Sequence, residues 1–292
     1  APALMEIGMV TDAVWADITG DQTAELVLAG EWMPITVLQF RNGKYEDISE
    51  ELGLSGETGW WFSIAAADFD RDGDLDLVGG NLGLNYKYKA GPMEPFEVYA
   101  NDFDESGSID IVLGYYNQGD LFPLRGRECS SNQMPFIKKK FPTYDAYGKA
   151  SLEEVYDPEK LETAVHYQAR NFGTTYFENQ GDGSFEKNIF ENYVQLSSTN
   201  AIIAHDFNQD DRLDLLLAGN LYSSEVETSR NDAGYGAYLQ GDGNGGFQLK
   251  KPVESGLLLH GDVKAASLIH LANGELGIIF AVNNGPLQLV KL

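Results

Sequence analysis

Nine residues starting at Asp68 (Asp68-Phe69-Asp70-Arg71-Asp72-Gly73-Asp74-Leu75-Asp76) place carboxylates at positions 1, 3, 5 and 9, with Asp74 at position 7, in a loop that runs straight into Leu77 and Val78. A hard divalent cation is what such a loop suits, calcium above all. Ca²⁺ takes six to eight oxygens at about 2.3 to 2.6 Å, and alternating Asp around a Gly lets one short turn supply most of them. A second copy runs Asp102, Asp104, Ser106, Ser108, Asp110, and a third runs Asp206, Asn208, Asp210, Arg212, Asp214. Each keeps an oxygen side chain at positions 1, 3, 5 and 9. A sparser copy, Asp17, Thr19, Asp21, Glu25, precedes them all. The expectation is calcium in three loops, with the Asp17–Glu25 loop as a fourth candidate.

The rival reading is an EF-hand, whose loop starts alike but needs a bidentate Glu at position 12 followed by a helix. Position 12 here is Gly79, Leu113 or Leu217, and the loops lead into Leu77-Val78, Ile111-Val112-Leu113 and Leu215-Leu216-Leu217. These short apolar runs read as buried strands, so the EF-hand fails. Thrombospondin-type calcium arrays fail as well, because they interleave cysteines and this chain has Cys129 alone. That residue reads as a small packing side chain rather than a nucleophile.

The loops sit in longer repeated units. An apolar strand precedes each loop and a second strand comes after it, ending near Gly. Then comes a hairpin rich in Asn, Asp and Gly that closes on an aromatic: Leu38 to Tyr45, Phe177 to Phe185 and Leu239 to Phe247. Those turn residues supply the positive φ that tight hairpins require. A fifth unit near Ala265 keeps the strands but carries Ser267, Ile269, Leu271 and Glu275 where ligands would fall, so no metal is expected there. Internal repetition of about four strands per 35 to 60 residues predicts an all-β fold, a β-propeller of four-stranded blades with five units visible. From Ser130 to Val165 alternation stops and helix signals take over. Ser151 with Glu154 forms a capping box, and Asp157 before Pro158 is a good N-cap. A helical insertion over 130–165 inside the third blade of a single 1–292 domain is therefore expected, with Lys138-Lys139-Lys140 as one solvated face.

With these loops, and with Gly80-Asn81-Leu82 and Gly219-Asn220-Leu221 ending strands, the chain resembles the FG-GAP/VCBS repeat family of calcium-binding propellers, to which the integrin α-subunit head belongs. It looks closest to bacterial surface and secreted proteins that carry such repeats beside an ASPIC/UnbV domain, of the cartilage-acidic-protein type. The resemblance spans nearly the whole chain. It implies a calcium-stabilised binding or adhesion module at the cell surface or outside the cell. Asp211 stands where the family loop usually has Gly, Thr19 departs at position 3 of the first loop, and the fifth loop is stripped.

A net charge of −25 excludes nucleic acid and anionic membrane surfaces as partners, since phosphate contacts need clustered Lys and Arg. There is no run of roughly 18 apolar residues to span a membrane. Because Glu6-Ile7-Gly8-Met9 looks like the connector that ends a blade, the chain is expected to be a piece of a longer polypeptide with further domains. Repeat logic puts the Asp loops on one face of a propeller and the segments after each second strand on the other. Those segments hold Trp32, Tyr86, Tyr88, Tyr115, Tyr116 and Tyr222, flat apolar area with polar handles of the kind that takes a protein or glycan ligand. Trp60 and Trp61 read as structural. His166, His205, His260 and His270 show no metal spacing and no nucleophile beside them, so no catalytic residue is assigned. The alternative is a carbohydrate-active enzyme, a glycoside hydrolase or polysaccharide lyase, which would need paired acids outside the metal loops.

Overall fold

Each apolar run that comes after an Asp loop becomes the second strand of an antiparallel sheet, and the strand before the loop becomes its first. The computed structural model describes residues 2–225 and 227–291. In chain order, β1 (Met9–Ala16), β2 (Glu25–Met33), β3 (Thr36–Arg41) and β4 (Lys44–Asp47) form the first sheet, with β5 (Gly59–Trp60) on the far edge of β2. The second sheet begins with β6 (Ser63–Ala67) and β7 (Asp76–Gly80) and is then interrupted. The interruption carries β8 (Phe96–Asn101), β9 (Asp110–Asn117) and β10 (Asp120–Pro123). Five short helices come next: α1 (Arg127–Gln133), α2 (Phe136–Lys140), α3 (Tyr144–Gly148), α4 (Leu152–Val155) and α5 (Pro158–Glu162). The interruption ends with β11 (Val165–Ala169), and its strands pair in the order β10-β9-β8-β11.

Only then do β12 (Thr175–Asn179) and β13 (Phe185–Ile189) complete the second sheet, in the order β13-β12-β7-β6, with Phe177 opposite Leu77 and Thr175 opposite Gly79. β14 (Ala201–His205), β15 (Asp214–Ala218), β16 (Ala237–Gly241) and β17 (Phe247–Lys250) make the next sheet. β18 (Val263–His270), β19 (Leu276–Val282) and β20 (Gln288–Lys291) make a three-stranded one. The chain divides into two compact units, Ala1–Lys87 with Phe172–Leu292, and Tyr88–Asn171. The fold is mostly β, with repeated four-stranded antiparallel sheets.

In the larger unit, β6 packs beside β1 and β14, and β14 beside β18, so four sheets succeed one another through their first strands. Three cores fill the spaces between them. Val27, Val37, Trp61, Ile64, Leu77 and Phe177 lie between the first and second sheets. Phe69, Val78, Tyr176, Leu215 and Leu217 lie between the second and third. Leu216 and Ala218 meet Ile278 and Phe280 of the last. This explains why Leu215-Leu216-Leu217 is continuously apolar: alternate side chains enter different cores, so both faces of β15 are covered. The sheets approach closely at their ends. A Cβ on Gly80 would lie 2.4 Å from the Thr199 carbonyl oxygen, and one on Gly219 would lie 2.1 Å from that of Ser198. These two strand-ending glycines of the Gly-Asn-Leu motifs are thus required by backbone contact, and the asparagines stitch. Asn220 Nδ2 donates to the carbonyls of Gly234 at 2.9 Å and Gly261 at 2.8 Å.

The smaller unit packs its helices around Phe103, Val112, Met134, Ile137, Leu152, Val155 and Tyr156. The expected caps form. Ser151 accepts from the Glu154 N–H at 3.2 Å while Glu154 accepts from the Ser151 N–H at 2.8 Å, and Asp157 caps α5 with Pro158 in its first turn. The helices lie between β10 and β11 in the chain, while the hairpin Phe177–Phe185 pairs with β7. Periodicity does not say which edge a hairpin joins, so this long-range pairing is not visible in the local pattern.

Candidate metal centres

The four Asp loops each join a first strand to a second, and all four share one backbone. Positions 4 and 6 adopt positive φ in every case: Gly20 and Gln22, Arg71 and Gly73, Glu105 and Gly107, Gln209 and Asp211. Asp211 at φ 64° supplies the left-handed turn where the family loop usually has Gly, as a short polar side chain can. The position-1 Asp caps the turn. Asp17, Asp102 and Asp206 accept from the N–H groups of positions 5 and 6 at 2.8 to 3.1 Å, and Asp68 accepts from the Arg71 N–H at 2.6 Å.

The position-9 acid is buried and points back at the N–H of position 2. Asp76 accepts from Phe69 at 3.0 Å, Asp110 from Phe103 at 3.0 Å, Asp214 from Phe207 at 3.2 Å and Glu25 from Ile18 at 2.9 Å. In two sheets the third strand adds the same pair of donors. Tyr176 Oη and the Asn179 N–H bond Asp76 at 2.9 and 2.8 Å; Tyr238 Oη and the Gly241 N–H bond Asp214 at 2.8 and 3.0 Å. Asp76 therefore ties three strands together before any ion is considered. Burial pushes its carboxyl up to about 6, against the backbone donors of Asn179 and Phe69 and the Tyr176 hydroxyl, which favour the charged form. Burial likewise raises Asp70 and Asp110.

Two of the loops gather carboxylates. Asp68, Asp70 and Asp72 each offer an oxygen within 4.8 Å of the others, as do Asp102, Asp104 and Asp110. All-oxygen, multiply charged donor sets of this kind fit a hard cation such as Ca²⁺. Asp74 is directed toward the β12–β13 hairpin, where its Oδ2 would be 2.6 Å from a Cβ on Gly181. Ser106 and Ser108 are exposed on the rim of the second set. Lys160 Nζ, from α5, donates to the Asp102 and Phe103 carbonyls at 3.2 and 3.1 Å. In the loop Asp206–Asp214, Asn208 and Asp210 bond one another at 3.1 Å and Arg212 is exposed, while Asp206 and Asp214 keep the capping and tying roles. In the loop Asp17–Glu25 the oxygens of Thr19, Asp21 and Glu25 converge on a side chain from β3, Gln39.

The aromatics named from the sequence are spread over both units. In the larger unit Trp32 is half-buried at a bulge, edge-on to Trp60 at 5.2 Å. Tyr86 is buried, and Tyr222 is half-buried with the Arg230 guanidinium 4.4 Å from its ring centre. Trp61 is fully buried against Phe177. In the smaller unit Tyr88 is buried and stacks on Phe96 at 4.7 Å, while Tyr115 and Tyr116 are half-buried. One constellation has no counterpart among the sequence motifs. Buried Glu97 accepts from the Tyr99 hydroxyl at 3.0 Å and makes a short contact with His166 Nε2, and the Tyr99 and His166 rings stack at 4.3 Å. Its only local signal is a Glu, a Tyr and a His on strands 69 residues apart that pair in register.

The pattern that defines FG-GAP-like repeats matches residues 17–79, which span the first Asp loop, the β3–β4 hairpin and the second Asp loop. That match supports the FG-GAP repeat family. No curated protein matches the chain. A solved structure described as the structural basis of specific recognition of non-reducing terminal N-acetylglucosamine by an Agrocybe aegerita lectin is similar at 15% identity and a TM-score of 0.22, covering 96% of this chain and 79% of that one. A likeness so slight carries no argument about fold or ligand. Among the described residues no helix is long and apolar enough to cross a membrane.

Proposed function

We propose that the chain is a calcium-stabilised binding or scaffold module of the VCBS type, working outside the cytoplasm at a bacterial surface as part of a propeller. The observation that carries this reading is the convergence of Asp68, Asp70 and Asp72, and of Asp102, Asp104 and Asp110, on hairpins of the kind that an FG-GAP-like repeat spans. Bound Ca²⁺ supplies positive charge that discharges acids otherwise repelling one another. The protein's own part is structural: the position-1 Asp caps the turn, and the position-9 acid ties first, second and third strands. The loop Asp206–Asp214 is included as a third site through Asp206, Asn208, Asp210 and Asp214.

Binding belongs to the strand ends away from these loops. There Tyr222, His260, Asp262 and Asn283 border a cavity of about 720 Å³, within the range that takes a small ligand or a protruding side chain. A protein or glycan partner fits a site of aromatics mixed with amides and carboxylates. The reading is non-catalytic. Of the buried acids outside the Asp loops, Glu97 has Tyr99 and His166 as partners and Asp262 has Lys264 Nζ at 2.7 Å and Asn283 Nδ2 at 3.1 Å, whereas glycoside hydrolysis needs a pair of acids about 5 to 9.5 Å apart.

Thermal unfolding in EDTA and in millimolar Ca²⁺, with elemental analysis of the dialysed protein, tests the proposal. A Ca²⁺-dependent rise in Tm with two or three ions per chain is expected. Equal Tm values and no bound metal would return the carboxylates to candidacy as catalytic groups.

A further inference from the structure

We infer that the loop Asp17–Glu25 is closed to cations by its own sheet, with the Gln39 amide standing where an ion would sit; this rests on the calcium reading of the other loops. The two hydrogens of Gln39 Nε2 are shared among three acceptors, Thr19 Oγ1 at 3.2 Å, Asp21 Oδ2 at 3.1 Å and Glu25 Oε1 at 3.1 Å. Those are positions 3, 5 and 9, the side chains that a cation would draw together. Glu25 has nothing left to offer. Its Oε2 accepts from the Ile18 and Thr19 N–H groups at 2.9 and 3.1 Å, and its Oε1 accepts from the Thr19 hydroxyl at 3.3 Å as well as from Gln39. A carboxylate has about four lone-pair sites, and here all four are engaged while the residue is fully buried.

The orientation of the amide is decided by its other neighbour. Gln39 Oε1 accepts from Arg41 Nε, and the Arg41 guanidinium is gripped by both oxygens of Glu51 at 3.2 Å. With its oxygen committed to arginine, Gln39 turns only N–H groups toward the loop. Calcium requires oxygen donors, so an ion entering there would meet the wrong end of the amide.

Strand register identifies the equivalent residue elsewhere. Leu38 pairs with Leu26, Phe177 with Leu77 and Leu239 with Leu215, so Gln39, Glu178 and Gln240 occupy the same step of their third strands. Glu178 carries a carboxyl group with no N–H to donate, and its Oε1 accepts from Gln180 Nε2 at 3.2 Å. Gln240 reaches a single acid, Asp210, at 3.4 Å. Gln39 alone among the three spans positions 3, 5 and 9.

Calcium counting on the full chain tests this, using Ca²⁺ equilibrium dialysis with elemental analysis of the wild type, Asp21→Asn and Gln39→Glu. Asp21→Asn is expected to leave the ion count unchanged, and Gln39→Glu to raise it by one with a larger Ca²⁺-dependent rise in Tm. An ion lost in Asp21→Asn, or none gained in a Gln39→Glu protein whose circular dichroism in EDTA matches wild type, overturns the inference. Asp21 is exposed and the change to Asn is isosteric, so that arm decides even where Gln39→Glu does not fold. Failure of the calcium reading looks different: the wild type then holds no ion and Asp70→Asn changes nothing, while Gln39→Glu gaining one ion from zero still supports the closed loop.

Discussion

The loops Asp17–Glu25 and Asp68–Asp76 have positive φ at the same two positions, a position-1 Asp that caps the turn and a buried position-9 acid, yet one is filled by an amide and the other is left as a ring of carboxylates. The difference does not lie in the loop backbone, since positions 4 and 6 take positive φ in both. It lies in a neighbouring strand, where Gln39 stands in one sheet and Glu178 in the other. On the proposed calcium reading, the same Asp spacing is thus left open or closed by a residue outside the loop. The Asp spacing specifies the turn, and the third strand specifies what fills it.

The largest separation between the two regions comes from removing metal. Chelation is expected to cost about 2.7 kcal/mol for each site that had been held at a hundred times its Kd, and to leave the Asp17–Glu25 loop untouched. Hydrogen exchange in EDTA, compared loop by loop, checks this: protection falls for residues 68–76 and not for 17–25. Next in size is Asp76→Ala, expected to destabilise by about 3 to 5 kcal/mol even in EDTA, because it strands the N–H groups of Phe69 and Asn179 and the Tyr176 hydroxyl in the interior. Asp70→Asn, by contrast, should change Tm in EDTA little and abolish only part of the calcium response. Urea titrations of both variants with and without Ca²⁺ separate the tying acid from the metal-gathering one.

A smaller effect is expected from pH. The folded-state pKa of Asp76, about 6, lies above that of an unfolded Asp, so its contribution is present at low pH and lost as pH rises through about 6. Melting in EDTA should therefore weaken between pH 5 and pH 7.5, and Ca²⁺, which favours the ionised carboxylate, should flatten that slope. A Tm that rises across this interval in EDTA would contradict it. Smallest is Tyr238→Phe, which removes one bond to Asp214 and is expected to cost about 1 to 2 kcal/mol, read as a shift in urea midpoint at unchanged m.

Much of this was legible from residue types and spacing. Alternating Asp predicted the turns, the apolar runs after them predicted the second strands, and Ser151 with Glu154 predicted a helix start that forms. What escaped was everything decided between segments distant in sequence. That Tyr176 and Tyr238 tie the position-9 acids depends on which strand pairs with which. That Gln39 turns its N–H groups to the loop depends on Arg41 and Glu51 behind it. A polar residue directly after Val37-Leu38, Tyr176-Phe177 and Tyr238-Leu239 in three third strands was the available signal. The register of the pairing, rather than the composition, gives it meaning.

The interruption between β7 and β12 also has a consequence in time. Gly80 and Thr175 belong to adjacent strands of one sheet, but ribosomes adding about 5 to 20 residues per second take about 5 to 20 s to travel from one to the other. Throughout that interval the β7 edge is exposed, with its carbonyl and N–H groups facing outward and its neighbour not yet made. The inserted sheet and helices form their own core from residues within 88–171, so they can condense during the wait and draw the ends of the gap together. A nascent chain stalled in this window would present an unpaired strand edge to its neighbours on the same messenger.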